Sequence, residues 1–235
     1  MSDETVNAAL QLAVGDAVPD RGGAASGSAL HGFYARHGKR LFDILGAAVL
    51  LAAFLPLLAI LVIVIRCDGG PAFYAQTRVG RGGRRFRCLK LRTMVPGAEG
   101  VLADLCARDP RLRLEWERFQ KLSDDPRITR LGRFLRKTSI DEIPQLINVL
   151  RGDMSLVGAR PFTPGQEAAY RRAGGRSYFL HRPGLTGPWQ VSERARGVFA
   201  SRVAHDEHYL ATISLGKDLQ LLLCTVGAVL RGTGQ

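Results

Sequence analysis

The stretch "KRLFDILGAAVLLAAFLPLLAILVIVIRCDGG", Lys39 to Gly70, carries no charge over the 22 residues from Ile44 to Ile65. As one helix it is roughly 33 Å long, enough to cross a bilayer. Two features oppose simple spanning. Pro56 stands in mid-run, where it removes a helix hydrogen bond and kinks or breaks the helix. Both flanks are basic, with Arg36, Lys39 and Arg40 before the run and Arg66 and Arg78 after it. Cationic flanks prefer the cytoplasm, and a spanning helix would send one of them out. The favoured reading is a re-entrant helix broken at Pro56, with arms 44–55 and 56–65 that each reach about the midplane. A buried helix of a soluble core fits this length and hydrophobicity poorly.

Around this stretch the chain of 235 residues has room for one good-sized domain plus extras. The net charge of +12 points to an anionic partner: nucleic acid, a phosphorylated substrate or an acidic membrane face. Cys67, Cys88, Cys106 and Cys224 have neither zinc-site nor disulfide-framework spacing, and read as reduced thiols of a cytosolic domain. "MSDETVNAAL" is acidic where a secretory leader is basic. The Ala, Gly, Ser and Asp-rich residues 1–37 read as a disordered arm. Residues 38–68 read as the membrane segment, and 69–235 as a cytosolic domain.

Downstream, "PAFYAQTRVGRGGRRFRCLKLRTM" alternates apolar and polar residues around a glycine turn and predicts a short β-hairpin. Seven cations and no acid lie between Arg78 and Arg92. "GRGGRR" does not open a helix, so it reads as the hairpin turn rather than a phosphate loop. Helical segments broken at Pro110 follow. Arg127, Arg130, Arg133 and Arg136 recur every three residues and predict one cationic helix face opposite Ile128, Leu131 and Leu135. A short helix near Glu167–Arg172 and closing helices with Asp206, Tyr209 and Asp218 complete an α/β fold, mostly helical with a short hairpin. His205 and His208 read as solvated helix residues rather than zinc ligands.

Chemistry concentrates at "RKTSIDEIPQLINVL", Arg136 to Leu150. Ser139 with Glu142 three residues on has the form of a capping box. Pro144 is tolerated only in a first turn, which puts Asp141 and Glu142 at a helix start, where dipole and free N–H groups favour anions. Both acids can therefore simply cap. In the same geometry one carboxylate can attack a phosphoryl group while its neighbour holds a divalent cation. Arg136, Lys137 and the helix start are expected to lower the carboxylate pKa. Lys90 and Arg92 sit on the predicted second strand, and arginine suits bidentate phosphate binding.

Together "KRLFD", the Pro-broken run, the hairpin block, "RKTSIDEIPQLINVLRGDMSLVGARP", "RPGLTGPWQV" and "VLRG" resemble the bacterial sugar transferases, the monotopic phosphoglycosyl transferases that start surface-polysaccharide assembly. The likeness covers about residues 38–235 and is nearest to the short exopolysaccharide type. It implies transfer of a hexose-1-phosphate from a UDP-sugar, UDP-galactose or UDP-glucose, to undecaprenyl phosphate, with release of UMP. The implied location is the cytoplasmic face of the bacterial inner membrane, ahead of downstream glycosyltransferases. By the same resemblance Asp141 is the nucleophile of a phosphosugar–aspartyl intermediate and Glu142 binds Mg2+. Lys90, Arg136, Arg160, Arg194, Asp206 and Asp218 are implied substrate and phosphate positions, and Pro56 the membrane kink. The chain departs from the family pattern at Ala159 in "GARP", at Glu193 before Arg194, at Gly216 and Lys217 before Asp218, and at Leu55 before Pro56. Two other classes compete: a basic helix-turn-helix DNA-binding protein built on residues 127–155, and an inactive membrane scaffold.

Overall fold

The computed structural model describes residues 32–119, 122–192 and 201–230. The arm before residue 32, Glu193 and Arg194 lie outside them; residues 32–37, assigned above to the arm, are helical. A π-helical turn, Tyr34–Gly38, leads into α1, Lys39–Arg66. The strands β1, Phe73–Val79, and β2, Arg85–Leu91, follow. Then come α2, Ala98–Arg108, and α3, Pro110–Phe119. Next are α4, Arg130–Thr138, α5, Gln145–Arg151, and β3, Ser155–Val157. The chain continues with α6, Glu167–Arg172, β4, Gly184–Thr186, α7, Pro188–Ser192, α8, Ser201–Ala211, and α9, Leu215–Leu230.

The expected break at Pro56 does not occur: α1 is one helix through it. A proline deletes a single donor, and the ladder on either side persists. The helix is long and apolar enough to cross a membrane by length and composition, and only 17% of its most apolar stretch is buried. Val49, Leu55, Ile60 and Ile63 stand exposed, so α1 is not the buried helix of a soluble core.

Both ends of α1 are fixed on the same folded unit. At its start Lys39 Nζ lies 2.8 Å from Asp218 Oδ2 and 3.0 Å from Asp43 Oδ1, and Arg40 donates to the Val149 and Leu150 carbonyls at 2.7 and 3.0 Å. Gly46 lets the helix approach β3, for a Cβ there would lie 2.7 Å from Leu156 Cδ1. At its far end Arg92 donates to the Ile65 carbonyl at 2.9 Å and to Asp68 Oδ2 at 2.8 Å. There Leu58, Leu61 and Ile65 pack with Ala72, Leu91 and Leu135 in a small core of their own.

The predicted hairpin forms, with Val79 opposite Arg85 and Tyr74 opposite Lys90. Gly82 and Gly83, at φ 68° and 76°, make the tip turn that a Cβ would strain. A second sheet is present that the sequence does not announce: β3 and β4 pair in parallel, Ser155 with Gly184 and Val157 with Thr186. Three-residue strands carry too short an alternation to be recognised. The main core gathers Phe162, Tyr170 and Tyr178, whose ring centroids lie 4.4 to 5.4 Å apart, with Met154, Leu156 and Val157. Each such ring pair adds about 0.5–1.5 kcal/mol beyond its burial.

The basic helix begins later than its arginine periodicity implies. Thr129 caps α4 through its Oγ1, which accepts from Gly132 N at 2.9 Å. Arg127 therefore precedes the helix and is buried, paired with Asp125 at 2.6 Å and over the Trp116 ring at 5.2 Å. No disulfide joins Cys67, Cys88, Cys106 and Cys224.

Candidate active site

The dyad sits in a 3₁₀ turn, Ile140–Glu142, between α4 and α5. The capping box is not made. Ser139 takes a left-handed conformation, φ 57°, and closes α4 with its N–H on the Arg136 and Leu135 carbonyls; its side chain caps nothing. The turn, not a cap, buries Asp141 and Glu142. Pro144 then immediately precedes α5.

Two distant segments close over the dyad. Lys90 Nζ lies 2.8 Å from Glu142 Oε1 and 3.6 Å from Asp141 Oδ2. Arg160 Nη2 lies 3.0 Å from the same Glu142 oxygen. Asn148 on α5 sets the register of this approach. Its side chain accepts from Leu89 N at 2.9 Å and donates to the Arg87 carbonyl at 2.8 Å, so β2 delivers Lys90 to the turn. On the other side Arg202 donates to the Arg160 carbonyl and stacks over Phe162, Tyr170 and Trp189, each at 5.5 Å. Arg78, held by Gln76 Oε1 at 2.6 Å and the Pro161 carbonyl at 3.2 Å, adds a second guanidinium beside Arg160.

The two carboxylates are driven apart electrostatically. Burial pushes Glu142 up, but Arg160 and Lys90 outweigh it and hold the carboxyl well below the usual range. Burial raises Asp141, with Lys90 only partly opposing and Glu142 adding repulsion. The expected lowering of Asp141 is thus reversed, because desolvation dominates when no hydrogen bond compensates it. Asp141 indeed accepts no hydrogen bond among the described residues, and Glu142 uses only Oε1. The site therefore holds a fixed anion beside a carboxylate with both oxygens uncommitted. Those oxygens, with Glu142 Oε2, fit a hard divalent cation such as Mg2+, which takes carboxylate oxygen.

The remaining expected positions are arranged differently. Arg136 is half-buried at the edge of the site, its Nε donating to Thr93 Oγ1 at 2.9 Å, and Asp141 still acts on it electrostatically. Asp206 is fully buried, accepting from Tyr170 Oη at 2.9 Å and lying 3.5 Å from Arg202 Nε; burial pushes it up to about 6. Among the described residues it connects to the dyad through Arg202 and the Arg160 backbone. Asp218 is fully buried at the start of α1, bonded by Tyr34 and Tyr209 at 2.7 and 2.6 Å besides Lys39. Among the described residues no ion pair or hydrogen bond joins Asp218 to the dyad. Ala159 is buried behind Arg160. Asn148, Arg78 and Arg202 are invisible to sequence reasoning: a lone polar residue in an apolar helix and two arginines in a basic chain give no local signal. Among the described residues no cluster of three His, Cys, Asp or Glu groups is placed to hold a metal.

A family model described as "Bacterial sugar transferase" matches residues 34–232. The chain belongs to the bacterial sugar transferase family. It is 47% identical over 198 residues to a UDP-galactose-lipid carrier transferase of Erwinia amylovora, covering 83% of this chain and 41% of that protein. It is 42% identical to the exopolysaccharide production protein ExoY of Rhizobium meliloti, covering 83% and 87% of the two chains. A UDP-glucose:undecaprenyl-phosphate glucose-1-phosphate transferase of Caulobacter vibrioides is 42% identical over 200 residues, with 82% and 69% covered. The chain thus spans about two-fifths of the longer relatives, 41% in the Erwinia protein, and most of the shorter ones. Family membership disfavours the DNA-binding reading, and the helices agree. The supposed recognition helix, α5, buries Gln145, Leu146, Asn148 and Val149, most of its seven residues, against the protein rather than presenting them to a groove.

Proposed function

We propose that this chain transfers hexose-1-phosphate from UDP-galactose or UDP-glucose to undecaprenyl phosphate, releasing UMP, as the first membrane step of exopolysaccharide synthesis. The observation that carries this is the buried Asp141–Glu142 pair held against Lys90 and Arg160. Its chemistry suits the reactions for which the relatives are named.

In the first half-reaction an Asp141 oxygen attacks the phosphorus bonded to the sugar. The bond from that phosphorus to the bridging oxygen breaks, and UMP leaves with the electron pair. The sugar phosphate is then an acyl phosphate on Asp141. In the second half-reaction an oxygen of the lipid phosphate attacks the same phosphorus and frees the carboxylate. Both nucleophiles are anions, so no proton must be removed. Lys90 and Arg160 neutralise charge on the transferring group, and Glu142 keeps both cations in place. Magnesium bound at Glu142 would supply further neutralisation of phosphoryl charge. Arg136 stands near the phosphates in this reading. Asp206 works at one remove, through Arg202 and Arg160, and Asp218 by seating α1.

The test is UMP release from UDP-galactose, UDP-glucose and UDP-N-acetyl sugars with Mg2+. We expect steady release from a UDP-hexose only with undecaprenyl phosphate present, and about one equivalent per enzyme without it. No release from any of these donors would overturn the reading and favour an inactive scaffold.

The enzyme so read works at the cytoplasmic face of the inner membrane, with α1 re-entrant through a kink at Pro56 inside the continuous helix rather than a break. Attachment of both α1 ends to one folded unit supports this, since a spanning helix would carry one end across about 30 Å of hydrocarbon. The exposed stripe Leu215, Leu219, Leu223 and Val226 on α9 adds a second apolar surface for the bilayer. Gly32→Cys, in a Cys67→Ser background, is expected to resist an impermeant thiol reagent applied from the periplasmic side. Ready labelling would establish a spanning helix instead.

A further inference from the structure

Arg81 and Arg84, exposed at the tip of the β1–β2 hairpin, have no side-chain ion pair or hydrogen bond among the described residues. They line a cleft of about 490 Å³ together with Arg85, Phe86, Gly152 and Arg182. One acid, Asp153, also lines it, and that carboxylate already accepts from Asn148 Nδ2 at 3.0 Å. Arg85 is paired with Glu167 at 2.8 Å. Arg182 donates its Nε to the Gly152 carbonyl at 2.8 Å, and Arg40 caps the Val149 and Leu150 carbonyls. Gly152 is the floor: a Cβ there would lie 3.5 Å from Arg40 Nη2 and 3.9 Å from Arg182 Nε. The guanidinium groups of Arg81, Arg84 and Arg182 converge against the single carboxylate of Asp153, and the Arg182 guanidinium is pushed down by burial and then by Arg40 and Arg81. Such a cluster is stabilised by an anion that bridges it.

The cleft is separate from the transfer site. The dyad precedes the N-terminus of α5, while the cleft opens beyond its C-terminus. Along β2, Arg85 and Lys90 are five residues apart, about 17 Å. The cleft instead faces the start of α1. Arg81 and Arg182 also line a second cavity of about 220 Å³ with Arg36, Lys39 and the exposed Leu180. Arg40 immediately precedes the apolar run. Where α1 enters a bilayer at Leu41, these guanidinium groups lie at the level of the headgroups, where each cation contributes about 1 kcal/mol toward an anionic surface.

We propose that the hairpin-tip cleft binds a phosphate-bearing anion, at a site distinct from the one that transfers sugar phosphate. The shared chemistry is a phosphate oxygen cluster between Arg81, Arg84 and Arg182, supplied by a phospholipid headgroup or by free phosphate. Headgroup-level placement rests on the membrane reading above; anion binding by the cleft does not.

The full chain in neutral detergent is titrated calorimetrically with dihexanoyl phosphatidylglycerol, dihexanoyl phosphatidylcholine and inorganic phosphate, beside the double variant Arg81→Ala/Arg84→Ala. Neither side chain supports the fold, so the variant should melt with the parent. We expect one-to-one binding of an anion that weakens about tenfold or more in the variant, with no such difference for phosphatidylcholine. A difference with phosphatidylglycerol alone identifies a lipid headgroup site, with phosphate alone a soluble-ligand site, and with both a general phosphate site. Equal titrations for parent and variant with both anions, or a difference of equal size with phosphatidylcholine, overturn the proposal. UMP release by both proteins is measured in parallel. If the transferase reading fails, neither releases UMP, yet the binding difference persists.

Discussion

Asp141→Asn is expected to lower UMP release by about a thousandfold or more while the protein melts at the same temperature or slightly higher. The amide keeps the shape of the carboxylate but is no nucleophile. Stability should survive because Asp141 accepts no hydrogen bond among the described residues and makes only a 3.6 Å approach to Lys90. The sign follows from its titration. Burial raises the folded pKa above the unfolded one, so this group favours folding below the unfolded pKa. That contribution is lost as pH rises through the folded value. At neutral pH the buried charge is therefore a burden, which asparagine removes. The same raised pKa places the acid limb of the rate profile above the ordinary carboxylate range, since only ionised Asp141 attacks. Activity retained in the variant with a fall in melting temperature would mark Asp141 as a structural residue.

Gly184→Ala is expected to cost about 3 kcal/mol or more of stability and to abolish transfer in whatever folded protein remains. A Cβ at Gly184 would lie 2.1 Å from Gly158 N, 2.4 Å from the Thr186 carbonyl oxygen and 2.6 Å from Gly158 Cα. All three are backbone atoms of β4 or of Gly158, which directly follows β3 and donates its N–H to the Thr186 carbonyl, so making room would disturb the pairing of the two strands. The segment that must give way runs from β3 through Gly158 to Arg160, whose guanidinium reaches Glu142. Chemical denaturation and UMP release measure the two effects. A midpoint within experimental error of the parent would show that the pair is looser than the spacing implies.

Several elements are legible in the chain itself. The hairpin is one, because alternation and a glycine turn are local signals, and Gly82 and Gly83 do adopt positive φ. The helices broken at Pro110 and the one at Glu167–Arg172 are others. The dyad is visible as a motif, but its setting is not. "SIDE" has the letters of a capping box, whereas Ser139 closes α4 in a left-handed conformation and α5 starts only at Gln145, so Ser139 is not its N-cap. The arginine repeat misleads in the same way: a period of three survives past a helix start, and Thr129 places that start after Arg127.

Sequence alone determined what is short-range here: an apolar segment long enough for a bilayer, a hairpin, and two adjacent acids in a basic chain. Tertiary structure decided which cations meet those acids. Lys90 comes from 52 residues before Glu142 and Arg160 from 18 after it. It also decided that Asp218 seats α1 rather than touching the dyad, and that Asp141 and Glu142 titrate in opposite directions. The physical reason is that propensity and periodicity act between neighbours along the chain. Desolvation and charge pairing act through space, and they take their values only once folding has expelled the water.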